Sequence, residues 1–248
     1  MFFSGGSGAG YFISPFGRLK EYFIMQMRDD YIFIHIPKNG GSTVIHALTD
    51  KWQKPNVTDS FQTAEFPAHV SAKQIRNKIG LKQYNDKMPF AVIRNPFSRC
   101  VSFFEFWRRT REKSRERWSE KYQNALIEKE LTRGYQLAKS RSFAEFVKAI
   151  YEEGMAVPQT FWVCDDKDSV IVDRLCSLQH LQRDLDLVMN KLKRPKPKLG
   201  KFNCASYKKH WKQYYTPQLR QIVEKMCAVD FELIERYRLT GESEWSPI

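Results

Sequence analysis

Two short apolar runs indicate the strands of a buried sheet. Tyr31–Ile36 and Phe90–Ile93 are continuous runs rich in β-branched and aromatic residues, the pattern of parallel strands covered on both faces. A helix is predicted after each run, over Thr43–Trp52 after the first and from Pro96 after the second. This repetition of strand, turn and helix predicts an α/β fold with a central parallel sheet flanked by helices.

The rest of the chain has mainly helical patterning. A third short strand is predicted at Ser169–Val172. Further helices are predicted near Ala125–Ala138, Phe143–Glu153, Leu181–Leu192 and Pro217–Tyr237. We expect a leader over residues 1–28, which contains a Gly/Ser-rich stretch, and a single domain over residues 29–248.

Charge and cysteine content limit the class of partner and the compartment. The 248 residues carry 41 Lys and Arg against 28 Asp and Glu, a formal charge of +13 that favours anionic partners. No apolar run approaches the roughly 20 residues of a membrane span, so none is expected. The five cysteines lack CxxC spacing and are expected to be reduced thiols in a cytoplasmic protein.

The segment Pro37–Thr43, with the sequence PKNGGST, joins the first strand to its helix. Two consecutive glycines there allow backbone amides to turn inward around an anion at the positive end of the helix. Lys38 comes before the glycines, whereas the NTPase phosphate loop places its lysine after them and adds a magnesium-binding hydroxyl. The order predicts a phosphate or sulfate site that needs no metal, with an ordinary glycine turn as the alternative.

A second candidate anion site follows the second strand. Arg94 stands at the carboxyl end of that strand, where ligands collect in open α/β sheets. On a helix that starts near Pro96, Ser98 and Ser102 share one face, so Ser102 can join Arg94 around a phosphate. A surface ion pair for Arg94 and a packing role for Ser102 are the alternatives. Two anion sites at neighbouring strand ends suit a nucleotide with separated anionic groups.

With these motifs the sequence resembles the sulfotransferases that use 3′-phosphoadenosine-5′-phosphosulfate (PAPS), in the branch of heparan-sulfate 2-O-sulfotransferases and related bacterial enzymes. HIPKNGGST and FAVIRNPFSRCVSFF carry the resemblance, which extends more loosely over Tyr31–Tyr237. It implies a P-loop-type sheet, no metal, and the product adenosine 3′,5′-bisphosphate. It implies that Lys38 contacts the phosphosulfate and that Arg94 with Ser102 holds the 3′-phosphate. The other predicted donor-binding residues are Asn39, Gly40, Gly41, Ser42 and Thr43 of the loop, and Lys208 and Lys209, which lie in a late basic loop and are expected to close over the 3′-phosphate.

His69 stands between the two motifs, at a position that resembles the catalytic histidine of this family. A neutral imidazole can accept the proton of an acceptor hydroxyl as its oxygen attacks sulfur. Lys38 would stabilise the charge on the leaving oxygen. The residue that stacks on adenine is left open among three aromatic side chains, Phe202, Tyr207 and Trp211.

Two other functions also fit parts of the sequence. A nucleic-acid-binding module would use Arg108–Trp118 with Lys191–Lys201, but it leaves both strand-end motifs unexplained, so no nucleic acid is expected as a partner. A metal-free phosphotransferase would bind ATP instead. For the main interpretation the acceptor is a hydroxyl-bearing molecule, and both an anionic glycan and a small natural product remain open.

Overall fold

The computed structural model describes residues 27–48, 69–110, 125–200 and 210–239. Its sheet has three parallel strands in the order β1 (Tyr31–Ile34), β2 (Met88–Ile93) and β3 (Arg174–Ser177). Every residue of β1 and β2 is buried, which explains why both strands are continuous apolar runs in the sequence. The predicted α/β fold with a parallel sheet is confirmed.

Helices cover both faces of this sheet. In chain order they are α1 (Gly41–Leu48), α2 (Ala72–Ile79), α3 (Leu81–Asn85), α4 (Pro96–Arg109), α5 (Ala125–Ser140), α6 (Phe143–Glu152), α7 (Thr160–Val163), α8 (Leu181–Lys191), a 3₁₀ turn (Trp211–Tyr214), α9 (Pro217–Met226) and α10 (Ala228–Arg236). Side chains from β1 and β2 alternate between the faces: Ile32 and Ile34 pack toward α2, α7 and α10, whereas Tyr31 and Phe33 pack toward α1 and α8. A further apolar cluster joins α4, α5, α6 and α9.

The junction between β2 and α4 shows how the sequence sets the start of a helix beside the sheet. Asn95 is the N-cap, its side chain accepts a hydrogen bond from the Ser98 amide, and Pro96 occupies the first turn. The strand therefore ends and the helix begins within two residues. Arg94 lies between them, at the carboxyl edge of the sheet.

Two predictions about secondary structure were wrong. The third strand is not Ser169–Val172, whose Val170 makes only an isolated antiparallel bridge to Cys164, but the later segment Arg174–Ser177. That segment has only Leu175 and Cys176 as apolar residues, so it lacks the long apolar run of β1 and β2. The predicted helix over Pro217–Tyr237 is two helices, because Cys227 departs from helical backbone geometry between them.

Other predictions fall partly or wholly outside the described residues. Of the leader over residues 1–28 only residues 27 and 28 are described, and its separation from a single domain stays a prediction. The helix predicted over Thr43–Trp52 is observed over Gly41–Leu48, and the remainder lies outside the description. Among the described residues, none of the helices combines the length and apolarity that crossing a membrane would require.

Candidate active site

The Pro37–Thr43 loop holds two residues in the left-handed region of backbone space. Gly40 has φ of 77° and Lys38, a residue with a side chain, has φ of 67°. Non-glycine residues adopt this region at a cost of about 1 kcal/mol or more, and such strain concentrates at binding and catalytic sites. The conformation directs the Lys38 carbonyl toward Arg94 Nη1, at 2.8 Å.

Both glycines lie against neighbouring side chains, and the positive φ of Gly40 also favours glycine. A Cβ on Gly40 would lie 2.5 Å from Leu178 Cδ1, and a Cβ on Gly41 would lie 1.9 Å from His35 Cδ2. Gly40 also accepts hydrogen bonds from the amides of Thr43 and Val44, which begins α1. Ser42 and Thr43 occupy the first turn of this helix and are half-buried. The loop therefore lies against Leu178, which follows β3, on one side and against His35, which follows β1, on the other.

We predict that Gly41→Ala destabilises the protein by about 1–3 kcal/mol, because the added methyl group overlaps a partly buried ring that has little room to move. Chemical denaturation measures the change. The matched control is Gly41→Ala combined with His35→Ala, in which the obstructing ring is gone. The double variant should be more stable than the sum of the two single changes predicts, and simple additivity would contradict the steric explanation.

Lys38 carries its ammonium group among other cations. Its Nζ lies 3.7 Å from the centre of the Phe106 ring on α4. Burial, followed by repulsion from Arg94 and Arg109, lowers the pKa of Lys38 to about 7. Within the described residues no carboxylate lies within salt-bridge distance of Lys38. An anionic ligand placed here would relieve the repulsion and raise that pKa again.

Arg94 lies next to a cavity of about 200 Å³ at the carboxyl ends of β2 and β3. Its Nε donates to Ser98 Oγ at 2.9 Å, while Nη1 donates to the Lys38 carbonyl. One guanidinium thus joins the second motif to the first. The cavity is lined by Ile93, Arg94, Asn95, Ser98, Ser177, Leu178, Gln179, His210, Trp211, Ile234 and Leu239.

Other residues predicted for the donor site have different positions. Ser102 lies on α4 one turn beyond Ser98 and is buried, whereas Ser98 is the serine bonded to Arg94. Of the candidate stacking residues, Trp211 lines the cavity and stacks on Phe97 with ring centres 5.6 Å apart. Phe202, Tyr207, Lys208 and Lys209 lie outside the described residues.

The side chain of Asn39 points into the protein. It is 1% exposed, and its Nδ2 donates to the Val92 carbonyl at 2.7 Å and to Gln159 Oε1 at 2.6 Å. These two hydrogen bonds anchor the Pro37–Thr43 loop to β2 and to the residue that precedes α7. The Asn39 side chain therefore holds the loop in place from inside the protein.

Gln159 contacts both anion motifs, and the sequence reasoning did not single it out. Its side chain is fully buried, and its amide exchanges two hydrogen bonds of 2.9 Å with the backbone N–H and carbonyl of Arg94. Asp230 on α10 accepts from the Gln159 amide nitrogens of backbone and side chain and from the Thr160 backbone. We call Asn39, Arg94, Gln159, Thr160 and Asp230 the Gln159 network. The segment Gln159–Trp162 lies in the looser part of the resemblance, which covers Tyr31–Tyr237.

His69 lies beside the end of β1. Its Nδ1 is 2.7 Å from the His35 carbonyl, and the two imidazole ring centres are 4.4 Å apart. Because a carbonyl can only accept, Nδ1 carries the proton and the neutral ring has its lone pair on Nε2. Burial lowers the pKa of His69 to about 4, and repulsion from Lys38 and Arg99 adds to this effect, against the hydrogen bond to His35.

Arg99 is a buried cation behind the same loop. Its Nε donates to the Pro37 carbonyl at 3.3 Å, and its Nη1 donates to the Val157 carbonyl at 2.9 Å. Its Nη2 is buried and has no hydrogen-bond partner among the described residues. Arg99 thus adds positive potential at Pro37, where the loop begins. Its charge also lowers the pKa of His69 and so disfavours the imidazolium form.

Fold and site together define an α/β protein with cationic side chains gathered at the carboxyl edge of a parallel sheet. A family model described as a sulfotransferase family matches residues 21–237. The chain therefore belongs to the sulfotransferase family, and its class of activity is the transfer of a sulfuryl group. Comparison with curated proteins found no match.

Proposed function

We propose that this protein transfers the sulfuryl group of PAPS to a hydroxyl-bearing acceptor. The observation that carries the proposal is the direct link between the two anion motifs, in which Arg94 Nη1 donates to the carbonyl of Lys38. Adjacent cations at two strand ends fit a ligand with two anionic groups on one nucleoside. In this assignment the Pro37–Thr43 loop takes the 5′-phosphosulfate, and Arg94 with Ser102 takes the 3′-phosphate.

The loop supplies the electrostatic part of the reaction. Lys38 would donate from Nζ to the bridging oxygen, where negative charge grows as the bond from sulfur to that oxygen breaks. The amides at the first turn of α1 would add their positive potential to the same group. The protonated Lys38, whose pKa rises when an anion binds beside it, is the form that can act in this way.

His69 supplies the base in this mechanism. The acceptor oxygen attacks sulfur in line with the leaving oxygen, and the hydroxyl proton passes to Nε2 of His69. The carbonyl of His35 holds the ring in the required tautomer through Nδ1. The products are the sulfated acceptor and adenosine 3′,5′-bisphosphate, and the histidine loses its proton to solvent afterwards.

The net positive charge of the protein favours one class of acceptor. The formal charge of +13 favours an acidic acceptor such as an anionic glycan, although a small hydroxylated natural product would fit the same chemistry. A transfer screen with radiolabelled PAPS over polysaccharides, lipids and small alcohols identifies the acceptor class. The proposed setting is the cytoplasm, because cysteines without CxxC spacing are expected to be reduced there.

Nucleotide binding tests the donor assignment directly. We expect adenosine 3′,5′-bisphosphate to bind more tightly than ATP, and to remain bound at salt concentrations that release single-stranded DNA. Arg94→Ala should weaken binding of the bisphosphate by about 10–100-fold, because a charge-assisted contact is lost, and should affect adenosine 5′-monophosphate much less. Calorimetric titration measures all four ligands. Preference for ATP, or failure to bind the bisphosphate, would sink the proposal.

A further inference from the structure

The connection between the two anion motifs does not depend on charged side chains alone. Gln159 Oε1 accepts from Asn39 Nδ2 at 2.6 Å and from the Arg94 backbone N–H at 2.9 Å. One buried oxygen therefore touches both the Pro37–Thr43 loop and the residue that ends β2. The same side chain returns a hydrogen bond from Nε2 to the Arg94 carbonyl.

Gln159 is itself held in place from the opposite side. Its backbone N–H donates to Asp230 Oδ1 at 2.6 Å, and its Nε2 also lies 3.2 Å from Asp230 Oδ2. Both Gln159 and Asp230 are 0% exposed, so water cannot replace these bonds without opening the core. If the Gln159 amide were flipped, its Nε2 would face the two donors Asn39 Nδ2 and the Arg94 N–H. This repulsion fixes the orientation of the amide.

We propose that Gln159 is a positioning residue that sets the separation of the two anion-binding sites, and so selects a nucleotide with two anionic groups. The inference rests on the proposed function, because it assumes a donor with phosphate on both sides of the ribose. Each half of such a ligand binds as if at high effective concentration once the other half is bound, provided that the spacing matches. Gln159 ties the backbones of the two sites at that spacing.

The contact between Arg94 Nη1 and the Lys38 carbonyl also joins the two sites, but it serves a different purpose. That contact is made by the long side chain of Arg94, whose guanidinium would also bind the phosphate. Gln159 instead joins Asn39 to the main chain of Arg94. Loss of Gln159 therefore leaves each half-site with its cation and changes the distance between the halves. The expected result is a selective defect in binding the two-phosphate ligand.

Three nucleotides measure this defect: adenosine 3′,5′-bisphosphate, adenosine 5′-monophosphate and adenosine 3′-monophosphate. In Gln159→Met, which keeps the length of the side chain and removes its amide, the affinity for the bisphosphate should fall about tenfold. Affinity for each monophosphate should change by less than about threefold. The quantity of interest is the ratio of bisphosphate to monophosphate affinity, measured by calorimetric titration.

Two further variants guard against a folding defect. Gln159→Asn retains an amide for Asp230 but is one methylene too short to reach both Asn39 and Arg94, so it should lower the same ratio. Ser142→Ala removes the capping box of α6, away from the nucleotide, and should lower the melting temperature while leaving the ratio unchanged.

The outcomes separate this inference from the proposed function. A lower ratio in Gln159→Met or Gln159→Asn supports the positioning role. An unchanged ratio in the folded variants, whether all three affinities fall together or none falls, overturns it. Failure of the unchanged protein to bind the bisphosphate would instead overturn the proposed donor, whatever the variants do.

Discussion

Replacing Lys38 by alanine is expected to lower turnover by about a thousandfold while the protein remains folded. The ammonium group is the cation of the Pro37–Thr43 loop, and removing one preorganised donor from a developing negative charge typically costs two to three orders of magnitude. Single-turnover transfer from radiolabelled PAPS, at saturating donor, measures the chemical step. Turnover within tenfold of the unchanged protein would remove Lys38 from the mechanism.

Stability provides the control for that variant. The pKa of Lys38 is about 7 in the folded protein against an ordinary value of 10.5, so the unfolded chain binds more protons between these pH values. The buried charge of Lys38 therefore lowers the free energy of unfolding by its full amount below pH 7. This destabilisation disappears as pH rises toward 10.5. Lys38→Met, which keeps the apolar stem over Phe106, should have a higher free energy of unfolding at pH 6 than the unchanged protein.

The same pKa predicts the alkaline side of the pH profile. Because the proposed mechanism requires the protonated form of Lys38, kcat/KM should fall as pH rises through about 7. In the donor-bound enzyme the Lys38 pKa is higher, so kcat should fall only at higher pH. In Lys38→Arg the alkaline limb should move out of the measured range, since a guanidinium stays protonated. An alkaline limb unchanged in Lys38→Arg would assign it to another group.

Replacing His69 by alanine is expected to lower turnover by about 10²–10⁴-fold, the usual contribution of a positioned general base. Binding of adenosine 3′,5′-bisphosphate should change little, because the imidazole faces the acceptor side of the reaction in this mechanism. His180→Ala is the matched control, since that histidine lies before α8 and has no assigned role, and its turnover should be unchanged. Normal transfer by a folded His69→Ala protein would exclude it as the base.

The acid side of the profile follows from the surroundings of His69. With a pKa of about 4 the ring is neutral, and thus able to accept a proton, throughout the range from pH 5 to 8. The acid limb of kcat/KM should therefore lie well below 6.5. Among the described residues, the charges of Lys38 and Arg99 lower the His69 pKa and His35 is a titratable neighbour of the ring. Arg99→Gln should therefore raise the His69 pKa and move this limb to higher pH.

Much of the sheet was predictable from sequence because β1 and β2 are buried on both faces. Burial on both sides requires apolar residues at every position, which gives a pattern that stands out without alignment. β3 gave no such pattern, since only Leu175 and Cys176 are apolar within it. The apolar residues just before it, Val170–Val172, instead pack into the core as irregular chain, where the Tyr84 hydroxyl donates to the Ile171 carbonyl.

The site was predictable only as far as local motifs extend. The glycines, Lys38 and Arg94 occur beside strand ends, so their placement follows from the strands that precede them. Gln159 and Asp230 belong to segments with no strand-end motif, and their contacts depend on how α7 and α10 pack against the sheet. A buried glutamine has no sequence pattern of its own, because its role depends on hydrogen-bond partners that lie far away along the chain.

The Gln159 network also has a consequence for the order of events during synthesis. Its hydrogen bonds join residues separated by 120 positions between Asn39 and Gln159, and by 71 positions between Gln159 and Asp230. Such distant pairings form slowly, and a chain that emerges from its amino end cannot make the bonds to Asp230 until α10 has left the ribosome. Nascent chains that already contain both motifs would therefore lack the complete Gln159 network, and they would acquire it only after α10 has emerged.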